Sequence, residues 1–445
     1  MKLIIGIVEL VDEEGKPSST GFVQAEAVFR QVQNWNVEGK IAALVFDTTA
    51  SNTGVTKGAA IRLHNLLQCH IFYLGCRHHI GELLARNPWY SVFKADPSPD
   101  NQMFKKLRDI WPEVDTTKDI QTINIPDKTL HQQMKEFYEK LLVKENQQKE
   151  LLLRADYREL AEISLVILGG ELPGDQPIQW KKPGAIHKAR FMAFGISSLK
   201  LLAFSDQQVV RDSCFSLTVK EKKTKKVVFD QAQLDQLQRF CHYALMFYVP
   251  QFLTAARGAD APFNDLQLFK KLNRFKTTDE TLANKALDTL SRHLWYLAPT
   301  TVLFSLFSNL VTDDEKSGIA AKLLSLPRDT EIKFGLPSFP EVTATTQLRD
   351  LVTPQSWQFF EIVKVCPDWL ALPPAEWASS DDFRLAREYV QTLKVTNDTA
   401  ERGIKIASDF MQVLTKDSEM RQKIFQVVEW DRHQRPDTKK CTMNS

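Results

Sequence analysis

This 445-residue sequence predicts an α/β unit at its amino end joined to a much larger helical region, so that the chain is mostly helical overall. Two observations carry that expectation. Before residue 85, short apolar runs alternate with segments of helical period in the order strand, helix, strand, helix, strand, which favours parallel pairing. After residue 85 the alternation stops, and apolar residues recur at helical spacing.

The elements follow in order. Residues 2–10, rich in Ile, Leu and Val, read as a strand, and Gly15, Pro17 and Gly21 punctuate a loop. Phe22–Trp35 reads as a helix, with Val28, Phe29, Val32 and Trp35 on one face. Ile41–Phe46 is a near-continuous apolar run, the pattern of a strand buried on both faces. Lys57–Gln68 is amphipathic, and His70–Leu74 is another strand. Helical patterns then cover Leu130–Leu153, Tyr157–Leu168, Ala185–Phe204, Gln231–Thr254, Ala283–Leu310 and Phe383–Leu393. Pro97, Pro99 and the run Pro367–Pro374 mark loops or helix ends. Asp398–Leu414 and Ser418–Arg432 read as a late helix pair, followed by a disordered tail from Pro436.

Composition narrows the classes. Hydrophobic residues make up 43% and charged residues 25%, values of a globular chain. The net charge of +2 gives no bulk attraction to nucleic acid or membrane, so any such contact falls to local patches. Six cysteines without regular spacing read as reduced thiols of an intracellular protein. No apolar run reaches membrane-spanning length, and the opening MKLIIGIVEL, broken by Glu9, is not a convincing signal peptide.

Several residues carry candidate chemistry. Asp47 ends the second apolar strand and is followed by Thr48, Thr49, Ser51, Asn52 and Gly54. Sites in α/β sheets form at the carboxyl ends of parallel strands. An Asx-turn that merely closes the loop accounts for the same residues. Glu401 lies in the first turn of a late helix, where it is a candidate metal ligand or the partner of Asp398 in a capping box. Cys76 and His79 have the spacing of a metal-ligand pair at a strand-to-helix junction, but no second tight Cys/His pair completes a zinc site. His78 is a further candidate ligand or a surface residue. Arg190, beside Lys188 and His187, contacts phosphate, neutralises a carboxylate, or simply faces solvent. Lys220–Lys226, the stretch KEKKTKK, reads as a solvated hairpin or loop, with a phosphate-contacting patch as the alternative. Asn264 or Asp265 reads as the cap of a helix, and His293–Leu297 as core packing.

Together these pieces resemble the hAT superfamily of transposases and proteins derived from them. Asp47 in VFDTTASNTG resembles the second catalytic aspartate, Cys76 and His79 in CRHHIGELL the C-x-x-H pair, and Glu401 in NDTAERGIKI the final catalytic glutamate. Arg190-Phe191 is similar to the family's Arg-Trp pair. The stretches D-T-T-A-x-N-T-G, C-R-H-H and A-E-R-G are shared with one hAT-like group. The resemblance implies an RNase H-like core interrupted by an all-helical insertion. Residues 1–85 would form its first part, 86–394 the insertion, 395–432 the returning helices and 433–445 a disordered tail. It also implies a two-metal DDE site in which Asp47 and Glu401 bind Mg²⁺ or Mn²⁺.

In the family the first catalytic aspartate lies on the first core strand. Here KLIIGIVELVDEEGK resembles the third strand, so the implied site lacks that acid, and only Glu9, Asp12, Glu13 or Glu14 is placed to substitute. On the same resemblance, the zinc-binding DNA reader common in hAT proteins is expected to be missing too. The expectation is therefore a degenerate or domesticated transposase core without a cofactor and without strand-transfer activity. It would bind DNA through Lys181, Lys182, Arg190, Lys222, Lys223, Lys225 and Lys226, or associate with itself or with other proteins through the helical insertion. The location expected is nuclear, with no membrane partner. An active metal-dependent nuclease completed by a longer product or a surrogate acid, and a helical scaffold that binds no nucleic acid, are the alternatives.

Overall fold

The computed structural model describes residues 10–12, 14–54, 56–94, 101–148, 155–174, 177–183, 192–221, 224–328 and 339–396, with backbone alone at 144–148, 193, 217–221 and 224–227. In chain order the elements are α1 (Gly21–Asn34), β1 (Ala43–Phe46), α2 (Ala50–Thr53), α3 (Ala59–Leu67), β2 (Phe72–Gly75), α4 (Arg77–Phe93), α5 (Gln102–Ile110), α6 (Lys128–Gln148), α7 (Ala155–Ile167) and α8 (Ala193–Ala203). Then follow α9 (Gln208–Cys214), β3 (Ser216–Glu221), β4 (Thr224–Phe229), α10 (Gln231–Tyr243), α11 (Val249–Leu253), α12 (Ala261–Phe275), α13 (Glu280–Ser291), α14 (Asp313–Leu324), α15 (Gln358–Val363) and α16 (Asp381–Thr392). A π-helical turn, Ala244–Tyr248, joins α10 to α11, and Val302–Phe307 forms a 3-10 helix. The described chain is thus mostly helical around a small parallel sheet.

β1 and β2 pair in parallel, from Ala43 against Phe72 to Phe46 against Gly75, with α2 and α3 in the crossover. Alternation sends successive side chains of β2 to opposite faces. Phe72 meets Phe304 and Phe359, at ring-centroid distances of 5.0 and 5.8 Å. Tyr73 turns to α3, where its hydroxyl hydrogen-bonds with His64 Nδ1. The sheet is therefore a middle layer, with α3 on one face and aromatic residues from the later helical region on the other. Thr20 caps α1 through its side-chain oxygen, which accepts from the Val23 amide at 3.4 Å. α3 starts after Gly58, where a Cβ would lie 2.6 Å from the carbonyl oxygens of Asn52 and Gly54. Only glycine lets the polar loop after β1 close so tightly.

Four expectations need correction. β1 is half-buried at Ala43, Leu44 and Val45 and buried only at Phe46, because among the described residues it pairs on one side alone. The helix expected over Ala283–Leu310 ends at Ser291. Pro299 cannot donate within a helix, and Trp295 and Tyr296 turn inward to the end of the sheet. Asp265 is no cap, since α12 begins at Ala261 with Pro262 in its first turn, leaving Asp265 buried a turn further on. His78 is buried, not superficial. The stretch around Lys220–Lys226 does form a hairpin, antiparallel from Ser216 against Phe229 to Glu221 against Thr224. Residues 2–9, Pro97, Pro99, Ala185–Phe191 and everything from 397 onward, with the late helix pair and the tail, lie outside the described residues. Among the described residues no helix is long and apolar enough to cross a membrane.

Candidate functional site at the carboxyl end of the strand pair

Asp47 follows directly on β1. Its Oδ1 accepts from the Thr49 amide at 3.1 Å, the Thr49 hydroxyl at 2.6 Å and Asn52 Nδ2 at 2.7 Å. This is an Asx-turn, and Thr49 leads from it into α2. Burial alone would raise the Asp47 carboxyl. The Thr49 hydroxyl and amide, nearby His79 and Asn52 together outweigh it and hold the group below the usual carboxylate range. Oδ2 has no hydrogen bond among the described residues. The sequence left two roles open for Asp47, and the geometry accommodates both: one oxygen closes the turn and the other stays available.

The end of β2 is organised by consecutive residues. The Cys76 amide donates to the Phe46 carbonyl at 2.8 Å, and the Arg77 amide donates to the Val395 carbonyl at 2.9 Å. One peptide unit thus ties the residue before Asp47 to a segment more than three hundred positions later in the chain. Arg77 is 1% exposed, and its Nη2 lies 2.8 Å from Asp265 Oδ1. Its Nη1 donates to the Ala261 carbonyl at 3.2 Å, and its guanidinium lies 5.1 Å from the Tyr296 ring centroid. Burial pushes the Asp265 carboxyl above its ordinary range, with Arg77 opposing the rise. Tyr296 donates its hydroxyl to the Gly75 carbonyl at 2.8 Å. Charge, hydrogen bonds and an aromatic face therefore lock β2, α4, α12 and the Val395 segment together.

Cys76 and His79 both lie at the β2–α4 junction, as the sequence predicts, and both are buried. His79 Nδ1 is 3.6 Å from Glu82 Oε2 on the next turn of α4. His78 points the other way, stacked on Phe252 at 4.3 Å and edge-on to Tyr157 at 5.6 Å, so it packs against α11 and α7. His293 follows α13 and is pushed down to about 4 by burial, then by His79 and Arg292. Several buried polar atoms here have no hydrogen-bond partner among the described residues: Thr48 Oγ1, His79 Nδ1, Glu82 Oε2, His293 Nδ1 and Trp295 Nε1.

The described residues do not gather a metal-binding set. No group of three or more His, Cys, Asp or Glu side chains among them is placed to hold an ion, and Asp47 is the one acid of the implied two-metal pair that they contain. Glu401 and Arg190, like Lys222 and Lys223, lie outside the described residues. Lys181 and Lys182 are exposed, and the Lys181 carbonyl accepts from Lys200 Nζ at 2.6 Å on α8. Lys225 and Lys226 lie on β4, paired with Lys220 and Val219. None of Cys69, Cys76, Cys214, Cys241 and Cys366 is in a disulfide.

Sequence reasoning missed Arg77, Asp265, Glu82 and His293. Arg77 stood inside the quoted motif CRHHIGELL, but its partner lies on a distant helix whose own pattern suggested a cap. The chain as described is a mostly helical protein whose distinctive site sits at the carboxyl end of a parallel strand pair. No protein-family model, curated protein or solved structure matches it.

Proposed function

We propose that the chain is a transposase-derived, hAT-like protein whose RNase H-like core, interrupted by a helical insertion, works by binding nucleic acid and not by strand transfer. The observation that carries this reading is the pair of amides at the end of β2. Cys76 holds Phe46, the neighbour of Asp47, and Arg77 holds Val395. Those two attachment points lie within about 10 Å of each other, given the span of one peptide unit and two hydrogen bonds. Glu401 follows Val395 by six residues, a length that reaches at most about 20 Å. A long helical detour that leaves after β2 and comes back to the same strand ends is what an interrupted core requires.

Binding is assigned in place of strand transfer because Asp47, the one acid of the resemblance among the described residues, has one of its oxygens committed to a turn. The test is a titration of duplex DNA with the purified chain at several salt concentrations. Affinity that falls linearly on a log–log plot against salt is expected, because lysine–phosphate contacts release counterions. No binding even at low salt would leave the helical-scaffold alternative and overturn the proposal.

One observation favours a second reading, that of a metal-dependent nuclease. Asp47 remains ionised with Oδ2 open among the described residues. Supercoiled plasmid incubated with the protein and Mn²⁺ separates the two. Plasmid left supercoiled is expected; nicking lost in both Asp47→Ala and Glu401→Ala would replace the first reading by the second.

A further inference from the structure

The outer face of α12 carries cations without acids. Lys270, Lys271 and Arg274 stand at i, i+1 and i+4, within an arc of about 100° on the helix surface. Lys271 and Arg274 are exposed and Lys270 is half-buried. None of the three is in an ion pair among the described residues. The acids nearest in sequence are engaged elsewhere: Asp260 accepts from the Ser308 hydroxyl at 2.6 Å, Asp265 lies 2.8 Å from Arg77 and Asp279 2.7 Å from Arg239. Like charges one helical turn apart repel. The protein around it, then the Arg274 charge, pulls the Lys271 ammonium below its ordinary value. The negative end of a helix attracts cations only within its last turn, and Lys270 and Lys271 lie before that turn of α12. Asp265 is on the opposite face, locked to Arg77, with Leu268, Leu272 and Phe275 buried on the same side. The helix is thus fixed from within, and its cations are presented on a rigid element.

We infer that the outer face of α12 docks on the phosphate backbone of duplex nucleic acid, with Lys270, Lys271 and Arg274 as its charged contacts. The inference rests on the nucleic-acid-binding reading above and assigns the element that performs it. From Lys270 to Arg274 the helix rises about 6 Å. Duplex DNA carries roughly three to four negative charges over that length, so the cations of this face meet a matching row of anions. Asn264 and Gln267, half-buried on the same side, add amides of the kind that donate to phosphate oxygens. A lipid surface fits less well, because no large apolar side chain of α12 is exposed to enter it. Basic clusters that bind anionic lipid also run to about 4–8 residues. Duplex is favoured over single strand because Phe263, the aromatic residue of this face, is packed against the core. It does not stand free as a platform on which unpaired bases would stack.

The test compares the full chain with a Lys270→Gln, Lys271→Gln, Arg274→Gln variant, titrated with duplex DNA over a salt series. The expected result is affinity about tenfold or more weaker at low salt, and a log–log salt slope shallower by about 2–3, near 0.9 for each cation that no longer neutralises a phosphate. The thermal midpoint should stay close to that of the wild type, since all three side chains lie on the solvent face. Should the triple variant unfold, Arg274→Gln alone decides: its slope is expected to be shallower by about 0.9, and an unchanged slope overturns the inference. A Lys270→Arg, Lys271→Arg, Arg274→Lys variant keeps the charge and should keep the slope. The inference is also overturned if the triple Gln variant binds duplex as the wild type does, or if the charge-keeping variant loses binding equally. Binding weakened only to single strands, to an acidic peptide or to phosphatidylserine vesicles overturns it as well. Wild-type protein that fails to bind duplex at any salt overturns the proposed function itself, so the two failures are distinct.

Discussion

Arg77 and Asp265 are both buried and 2.8 Å apart, so removing either partner strands a charge away from water. Breaking such a pair costs about 3–5 kcal/mol, whereas an apolar pair of similar volume is often neutral. Asp265→Ala is therefore expected to lower unfolding stability by that amount in a denaturant titration, and Arg77→Met with Asp265→Leu to recover most of it. A single variant within about 1 kcal/mol of wild type would show that the charge is solvated or paired elsewhere. Asp47 separates turn from charge in a similar way. Asp47→Asn keeps an oxygen for Thr49 and Asn52 and should unfold within about 1 kcal/mol of wild type, while Asp47→Ala, which loses all three hydrogen bonds, should cost about 1–3 kcal/mol. Equal losses in the two variants would mean that the negative charge itself holds the loop.

At the scale of elements, β2 ends on a glycine because the Trp295 indole lies against it. A Cβ at Gly75 would sit 2.9 Å from the indole Cγ. Trp295 also packs edge-on to Phe46 at 5.4 Å, so one side chain covers the ends of both strands. Gly75→Ala is expected to destabilise by about 1–3 kcal/mol through overpacking. In a double-mutant cycle with Trp295→Ala, the glycine substitution should become much cheaper. Additive effects would mean that backbone conformation, not the indole, demands the glycine. The same packing explains why the helical pattern after Ala283 was misleading. Apolar residues at helical spacing look alike whether they continue a helix or turn inward to cap a sheet, and only contact with Phe46 and Gly75 separates the two.

Acid stability belongs to the molecule as a whole. His64 and His293 are each pushed down to about 4 from an ordinary 6.5, first by burial, then by His70 for His64 and by His79 and Arg292 for His293. Both are neutral in the folded chain at neutral pH. As pH falls below about 6.5 the unfolded chain takes up protons that the folded chain refuses, so stability is lost down to about pH 4 and this loss then levels off. Each shift corresponds to on the order of 3 kcal/mol. Thermal midpoints between pH 7 and pH 4 should fall accordingly, and His293→Gln should flatten part of that fall. An identical profile in the variant would place the titration elsewhere.

The alternation before residue 85 and the helical period after it were enough to place α1, β1, α3, β2, α7 and α16 near their observed bounds, the start of α6, and the α10–α11 stretch as one continuous run. Spacing alone put Asp47 at a strand end and Cys76 and His79 at a strand-to-helix junction. These are local properties, set by side-chain period and turn chemistry within a few residues. Tertiary structure decided what no local pattern encodes: that Arg77 pairs with Asp265, that His78 turns to Phe252 while His79 turns to Glu82, that Trp295 and Tyr296 close the sheet, and that Val395 returns to the end of β2. The physical reason is that burial of charge and aromatic surface depends on which distant segment arrives at a site, and a residue's neighbours in sequence do not determine that choice.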